Sequence, residues 1–316
     1  MRPPSRRRIF GLFAGVGAAA AGIGALGRRE SAFEWRGSAL GGEARIVVDH
    51  PDRATGQRAA ERARAEIDRL EDEFSLFRPD SALSRLNRSG HIAAPSLDLR
   101  RLVETSLRLA RLSDGLFDVS IQPLWQAIAA TFHGRADGSD VERAKRLVDW
   151  RCIRLDERGL TLEKPEMALT FNGIAQGYIA DRVAAVMRSE GLEHVLIDTG
   201  ELRATGPRRS LAPWRVGLDP GLAFDLVDGA AATSSGGASP MVAGGRLNHL
   251  IDPRTATSPA PQRRVTVLAE DAMTADALAT VLCLAPAGEA PRLLREGGGR
   301  GAIVRETDGA IRRFGV

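Results

Sequence analysis

The sequence predicts an α+β protein, with mixed sheets flanked by helices. Three observations carry this. Amphipathic helical stretches such as 57–77 and 97–112 alternate with short apolar runs of strand type. Those runs meet in tight turns, as at Arg158-Gly159, which favours antiparallel hairpins over a parallel sheet. At 316 residues, 43% hydrophobic and 27% charged, the chain is long enough to bury a large core.

The first element is a leader over residues 1–29. Ser5-Arg6-Arg7-Arg8-Ile9-Phe10 is a twin-arginine pattern, and a small-residue apolar run, Gly11 to Leu26, follows it. That run is about 16 residues, short of the roughly 20 a membrane-spanning helix needs. It therefore reads as a signal peptide, with retention as an uncleaved anchor the alternative, and predicts a periplasmic protein. Any membrane contact would come through this leader. The leader also explains the net charge of +4: without its six arginines, 38 basic residues face 40 acidic ones, a net of −2. The body, 30–316, then shows no nucleic-acid footprint.

The body opens with an alternating strand, Glu43 to Val48. Ala60, Ala63, Ile67, Leu70 and Phe74 recur at helical spacing over 57–77. Arg78-Pro79-Asp80-Ser81 is a turn, with Ser81 capping a short helix to Asn87. A second helix, Leu97–Leu112, ends at Ser113-Asp114-Gly115, and a Pro-containing segment, 121–125, comes next. A loop at 133–140, a short helix at 140–148 and a strand pair within 151–170 lead to a helix at 176–190, closed by Gly191. Strands are expected at 194–198, 217–219, 230–233, 247–251 and 265–268. A helix at 274–284 and a strand pair, 301–305 and 310–314, complete the chain. Two cysteines, Cys152 and Cys283, make neither a disulfide framework nor a metal site.

Four clusters are candidates for chemistry. In Thr170–Asp181 an apolar run, Met167-Ala168-Leu169, leads through Gly173 and Gly177 into a helix. A strand, glycine turn and helix start offer backbone N–H groups and a positive dipole end to a phosphate, although such glycines also serve tight packing. In Asn248–Thr255, His249 and Asp252 precede a proline turn. The histidine suits a general base near neutral pH, while Asp-Pro is also a common turn starter. Asp276 and Thr280 stand i and i+4 on one helix face. Their oxygens suit Mg²⁺, or else serve as dipole partner and back-bonding hydroxyl. Ala232-Thr233-Ser234-Ser235-Gly236-Gly237 is a small-residue loop that either lines a phosphate or is an ordinary loop.

Taken together and in order, these clusters resemble the ApbE family of periplasmic flavin transferases. Phe74–Asn87 is similar to the family's serine–aromatic–Asp-Ser–Asn segment, and Gly115–Ser120 to its Gly-x-Phe-Asp turn. Asn172–Tyr178, Ala232–Ser234, His249–Thr255 and Ala275–Thr280 match the remaining motifs, so the resemblance covers about residues 35–316. It implies a single large domain of two lobes that moves FMN from FAD to a threonine of a partner redox protein and releases AMP. The backbone carbonyl of Gly173 with Asp276 and Thr280 would hold Mg²⁺. Leu40, Phe77, Leu116, Phe117, Asp118, Thr170, Gln176 and Ile251 fall where the family contacts FAD. His249, with Asp252 beside it, would deprotonate the acceptor threonine. The acceptor implied is a membrane electron-transfer subunit. The chain departs from the pattern at Thr170 and Gln176, where the family has Asp and Lys, and Arg254 is a candidate to replace the lost cation. Two other activities share the same site: hydrolysis of FAD to FMN and AMP, and FAD binding without catalysis.

Overall fold

The alternation at 43–48 builds β2 (Gly42–Asp49), in which Ile46 and Val48 enter one core and Val47 another. The computed structural model, which describes residues 32–219, 222–238 and 247–315, places this strand second in an eight-stranded sheet. The sheet runs β1 (Ala32–Ala39), β2, β6 (Val195–Asp198), β7 (Leu202–Thr205), β10 (Gly229–Ser235), β11 (Arg264–Ala269), β12 (Gly299–Arg305), β13 (Ile311–Phe314). Every pairing in it is antiparallel. The same two-residue period recurs across it: Val195 and Ile197 oppose Leu196, and Ala230 and Ala232 oppose Ala231. The leader expected at 1–29 lies outside the described residues.

One face of the sheet carries the main core, built with α1 (Arg53–Phe74), α6 (Ala175–Ser189) and α7 (Ala272–Leu284). The other face is covered by a hairpin, β8 (Trp214–Asp219) and β9 (Leu222–Leu226), whose Trp214, Val216 and Leu226 pack on Val47, Leu196 and Leu202. Helix α7 is buried over all its length except at Thr280 and Leu284, with alanines at 272, 275, 277 and 279 that let backbones approach. Its Leu278, Val281 and Leu282 are fully buried, each stabilising the fold by about 1.5–3 kcal/mol.

Two of the remaining helices pack with a separate three-stranded sheet, β3 (His91–Ile92), β5 (Gly159–Leu162), β4 (Ile153–Asp156). Helix α2 (Ala82–Ser89) starts where Ser81 Oγ accepts the Ser84 N–H at 3.0 Å, as the sequence predicts. Helix α3 (Leu97–Leu112) has the expected bounds. Pro123 does not break the chain but sits in the first turn of α4 (Gln122–Phe132), where its missing N–H costs nothing. Helix α5 (Gly138–Lys145) begins in a capping box of Asp137 and Asp140. Helix α8 (Ala290–Gly297) leads into β12.

Two expected strands do not form. Residues 167–171 run as an irregular arm. There the Asn87 amide donates to the Leu169 carbonyl at 2.9 Å and accepts the Leu169 N–H at 2.7 Å, replacing a strand partner. Residues 247–251 form a loop shaped by buried Asn248, which donates to Pro259 O at 2.9 Å and accepts from Leu250 N at 3.0 Å. No helix among the described residues is long and apolar enough to cross a membrane.

Candidate functional site

The glycine arm, the start of α6 and the first three turns of α7 meet at one place. A Cβ on Gly173 would lie 3.2 Å from Thr280 Oγ1 and 3.4 Å from Phe117 Cε2, so these three residues are in contact range. Thr280 Oγ1 also lies 3.3 Å from Ser234 Oγ, which brings in the small-residue segment at the end of β10. One turn back on α7, Asp276 is buried, and its Oδ2 accepts the Gly177 N–H at 3.0 Å. Among the described residues that is the only hydrogen bond to its carboxylate. The fold therefore brings Gly173 to Thr280 and Gly177 to Asp276, through contacts spanning about a hundred residues of chain.

The electrostatics explain what this place can hold. Burial pushes the Asp276 carboxyl up to about 7, with the charge of Asp181, another carboxylate, adding to the shift. Glu201, buried at the start of β7, is pushed well above the usual carboxylate range by burial and then by Asp276. Its Oε2 accepts the Thr233 N–H at 3.2 Å. Buried carboxyls collect here: Arg203 lies 3.4 Å from Asp181, while Asp276 and Glu201 make no ion pair among the described residues. A carboxylate, a hydroxyl and a nearby backbone carbonyl are hard oxygen donors of the kind Mg²⁺ takes. Among the described residues no group of three or more His, Cys, Asp or Glu is arranged to hold a metal. A cation here would therefore depend on Asp276, Thr280, Gly173 and a phosphate-bearing ligand.

The expected FAD contacts divide by what their side chains do. Leu40 has a left-handed backbone, φ 49°, with Gly41 beside it at φ 82° in the β1–β2 turn. A branched side chain there costs energy, and the Leu40 N–H is held at 2.7 Å by Glu71 Oε1, itself paired with Arg78. Phe77 lies next to this turn, 4.0 Å from where a Gly41 Cβ would stand. Leu116 and Phe117 are buried in the main core.

Asp118 is committed inward: Oδ1 accepts from Ser120 N at 2.8 Å and Ser120 Oγ at 2.7 Å, and Oδ2 from Trp150 N at 3.0 Å. Burial still raises its pKa. The Thr170 N–H donates to Val119 O at 2.8 Å, which ties the arm to the 116–120 turn. Gln176 is buried, its Nε2 donating to Thr199 O at 3.0 Å while Thr199 Oγ1 donates back to Gln176 O at 3.0 Å. Where a lysine would offer a charge, this side chain ties α6 to the β6–β7 turn.

Ile251 is buried against Leu124 and Ile128 of α4, anchoring the 247–257 loop. His249 is half-buried on that loop. The Asp252 carboxylate is gripped by Arg254, with Nε at 3.1 Å and Nη2 at 3.0 Å, and the Asp252 N–H donates to Thr257 O at 2.7 Å. Arg254 thus spends its fork on Asp252, a geometry that rigidifies the turn.

Sequence reasoning gave Asp181 and Glu201 no role, although Asp181 closes the glycine cluster and Glu201 stands where the family often has glycine. Asp181 accepts the N–H groups of Ala272 and Met273, each at 2.9 Å, from one turn beyond Gly177 on α6. A glycine followed four residues later by an acid on a helix face was the available signal.

Comparison with known proteins places the site in context. The family model described as the ApbE family matches residues 40–304. The FAD:protein FMN transferase of Vibrio cholerae serotype O1 is 34% identical over 239 residues, covering 69% of this chain and 71% of its own length. That of Escherichia coli K12 is 27% identical over 287 residues, covering 83% and 81%. Among solved structures, the ApbE protein of Thermotoga maritima superposes with TM-score 0.76 at 25% identity, covering 90% of this chain and 97% of that one. The flavin transferase ApbE of Vibrio cholerae gives 0.75 at 24%, covering 90% and 96%.

Proposed function

The chain belongs to the ApbE family, and from that premise we propose that it is an FAD:protein FMN transferase. In this reading it is Mg²⁺-dependent, moves FMN to a threonine hydroxyl of a partner redox protein and releases AMP. The observation that carries the reading is the junction of Gly173, Phe117 and Thr280 above a buried Asp276 that itself binds the α6 start. A hydrolase or a passive binder would not need the same acceptor access, but all three readings would share this pocket.

The reaction breaks the pyrophosphate bond between the FMN phosphorus and the AMP oxygen and forms a bond from that phosphorus to the threonine oxygen. AMP carries away the electron pair, and the hydroxyl proton goes to a base. His249 is proposed as that base, on a loop that Asp252, Arg254 and Ile251 hold in shape. Asp276, Thr280 and the Gly173 carbonyl would hold Mg²⁺, which when bound supplies positive charge to the phosphates. Leu40, Phe77, Leu116, Phe117, Asp118, Thr170, Gln176 and Ile251 are proposed to line the FAD site. Phe77 would offer a ring face, and Gln176 its backbone at the helix start. Leu116, Phe117, Asp118 and Ile251 would contribute mainly by fixing the walls, because their side chains are buried. The twin-arginine leader supports export, so the acceptor is proposed to be a periplasm-facing subunit of a membrane electron-transfer complex.

One assay tests the proposal: full chain, FAD, Mg²⁺ and an acceptor domain bearing a threonine, with covalent flavin and AMP followed together. Covalent flavin with matching AMP is the expected result. AMP and free FMN alone would make the protein a pyrophosphatase, and bound but unchanged FAD would make it an accessory binder.

A further inference from the structure

We propose that Asp181 is a positioning residue for the metal site: from α6 it fixes the start of α7, and so the place of Asp276 and Thr280. The proposal rests on the Mg²⁺ reading above.

The first N–H groups of any helix lack partners within it. On α7 the helix's own cap, Asp271, serves only Thr274, accepting its N–H at 2.8 Å on Oδ1 and its hydroxyl at 3.0 Å on Oδ2. Ala272 and Met273 are buried, so water cannot readily serve their N–H groups. Asp181 serves both, one with each carboxylate oxygen, at 2.9 Å. A carboxylate at the positive end of a helix gains from the dipole as well.

Asp181 is in turn anchored. The Arg203 Nε lies 3.4 Å from Asp181 Oδ1, and its Nη1 donates to Ala204 O at 2.5 Å and to Gly229 O at 2.8 Å. The line runs from the sheet strands β7 and β10 through Arg203 and Asp181 to the first turn of α7. Gly177, one turn before Asp181 on the same face of α6, makes the second hold. A Cβ there would stand 2.2 Å from Ala272 O, and the Gly177 N–H donates to Asp276. Helix α7 is thus gripped at 272–273 and again at 276. A slip of one residue would turn it by about 100° and carry both oxygen donors away from Gly173. Asp181 touches the first turn of α7 directly and is not itself a proposed metal ligand.

The test is a calorimetric titration of Mg²⁺ into the full chain with FAD in excess and no acceptor, for wild type, Asp181→Asn, Asp181→Glu and Tyr178→Phe. Metal-free melting temperatures are recorded alongside. Asp181→Asn keeps the shape but turns an N–H₂ toward one of the two α7 N–H groups, and Asp181→Glu keeps the charge but moves it. Both are expected to weaken Mg²⁺ binding by roughly 10–100-fold, the scale on which losing an outer partner of a ligand acts, here through the start of the helix that carries the ligands. Tyr178→Phe removes the hydrogen bond to Asp98 elsewhere on α6 and is expected to lower the melting temperature without changing Mg²⁺ affinity. If Asp181→Asn does not fold, Asp181→Glu decides the matter. Asp181 variants that bind Mg²⁺ as tightly as wild type, whatever their melting temperatures, would overturn this proposal alone. A wild type that binds no Mg²⁺ would overturn the parent reading and this one with it.

Discussion

Asp276 is the side chain on which the proposed activity turns, because it is a buried carboxylate whose neighbouring charge is also negative. Asp276→Asn is expected to abolish Mg²⁺-dependent transfer, a larger loss than the roughly 10–100-fold that removal of an outer partner costs. The metal-free melting temperature should hold or rise, since an uncompensated buried charge has gone. A folded Asp276→Asn variant with wild-type turnover would end its assignment as a ligand. With the Asp276 carboxyl near 7, protons compete with the cation below that pH. Mg²⁺ affinity should therefore fall about tenfold per pH unit below about 7 and level off above it. Gln176 poses the opposite question. Its amide serves the buried Thr199 carbonyl, so Gln176→Leu should cost about 1–3 kcal/mol in denaturant unfolding by stranding that acceptor. FAD affinity, read by flavin fluorescence, should barely change; a large loss would return the side chain to the binding surface.

At the scale of elements, the α6–α7 crossing is the joint that makes the site. Gly177→Ala is expected to destabilise the protein by about 3 kcal/mol or more, because a methyl 2.2 Å from Ala272 O cannot be accommodated without moving α7. A chemical melt that matches wild type would show the joint to be slack. This crossing also marks how far the sequence could be read. Local rules found α2 from its Ser81 cap and α3 from its apolar spacing. The motif order brought together Gly173, Asp276 and Thr280. Neither rule could see that Asp181 caps a helix 91 residues away, or that Asn87 replaces a strand partner for Leu169 across 82 residues. Strands β7 and β9 escaped notice because four or five residues beside turns carry too little period to register. The 247–251 run looked like a strand because Leu250 and Ile251 are apolar. In the fold they do serve two cores, as neighbours on a strand would, but the buried Asn248 amide accepts from Leu250 N and donates to Pro259 O, which closes the run into a loop.

For the whole molecule, the buried carboxylates set a dependence of stability on pH. Burial raises the pKa values of Asp118, Asp181, Asp198, Glu201 and Asp276 above those of an unfolded chain, Asp181 to about 6 and Asp276 to about 7. A group raised in the folded state holds its proton more tightly there. Its contribution is complete below the unfolded value, near 4, and is lost as pH climbs through the folded value. The depressed carboxylates Glu66, Asp98 and Asp149 act oppositely, but only as pH falls below their ordinary values of about 4. Between pH 5 and 8 the raised group dominates, and the metal-free protein should lose on the order of a few kcal/mol, seen as a falling melting temperature. Saturating Mg²⁺ should reverse the loss at pH 8, where Asp276 is ionised and available, and do little at pH 5, where it is protonated. The stabilisation by Mg²⁺ is therefore expected to grow with pH across the same window in which the metal-free protein weakens. Melting curves at pH 5, 6.5 and 8 with and without Mg²⁺ measure both trends at once. A metal-free melting temperature that climbs from pH 5 to 8, or a Mg²⁺ shift indifferent to pH, would mean that these carboxylates are ionised and paired throughout.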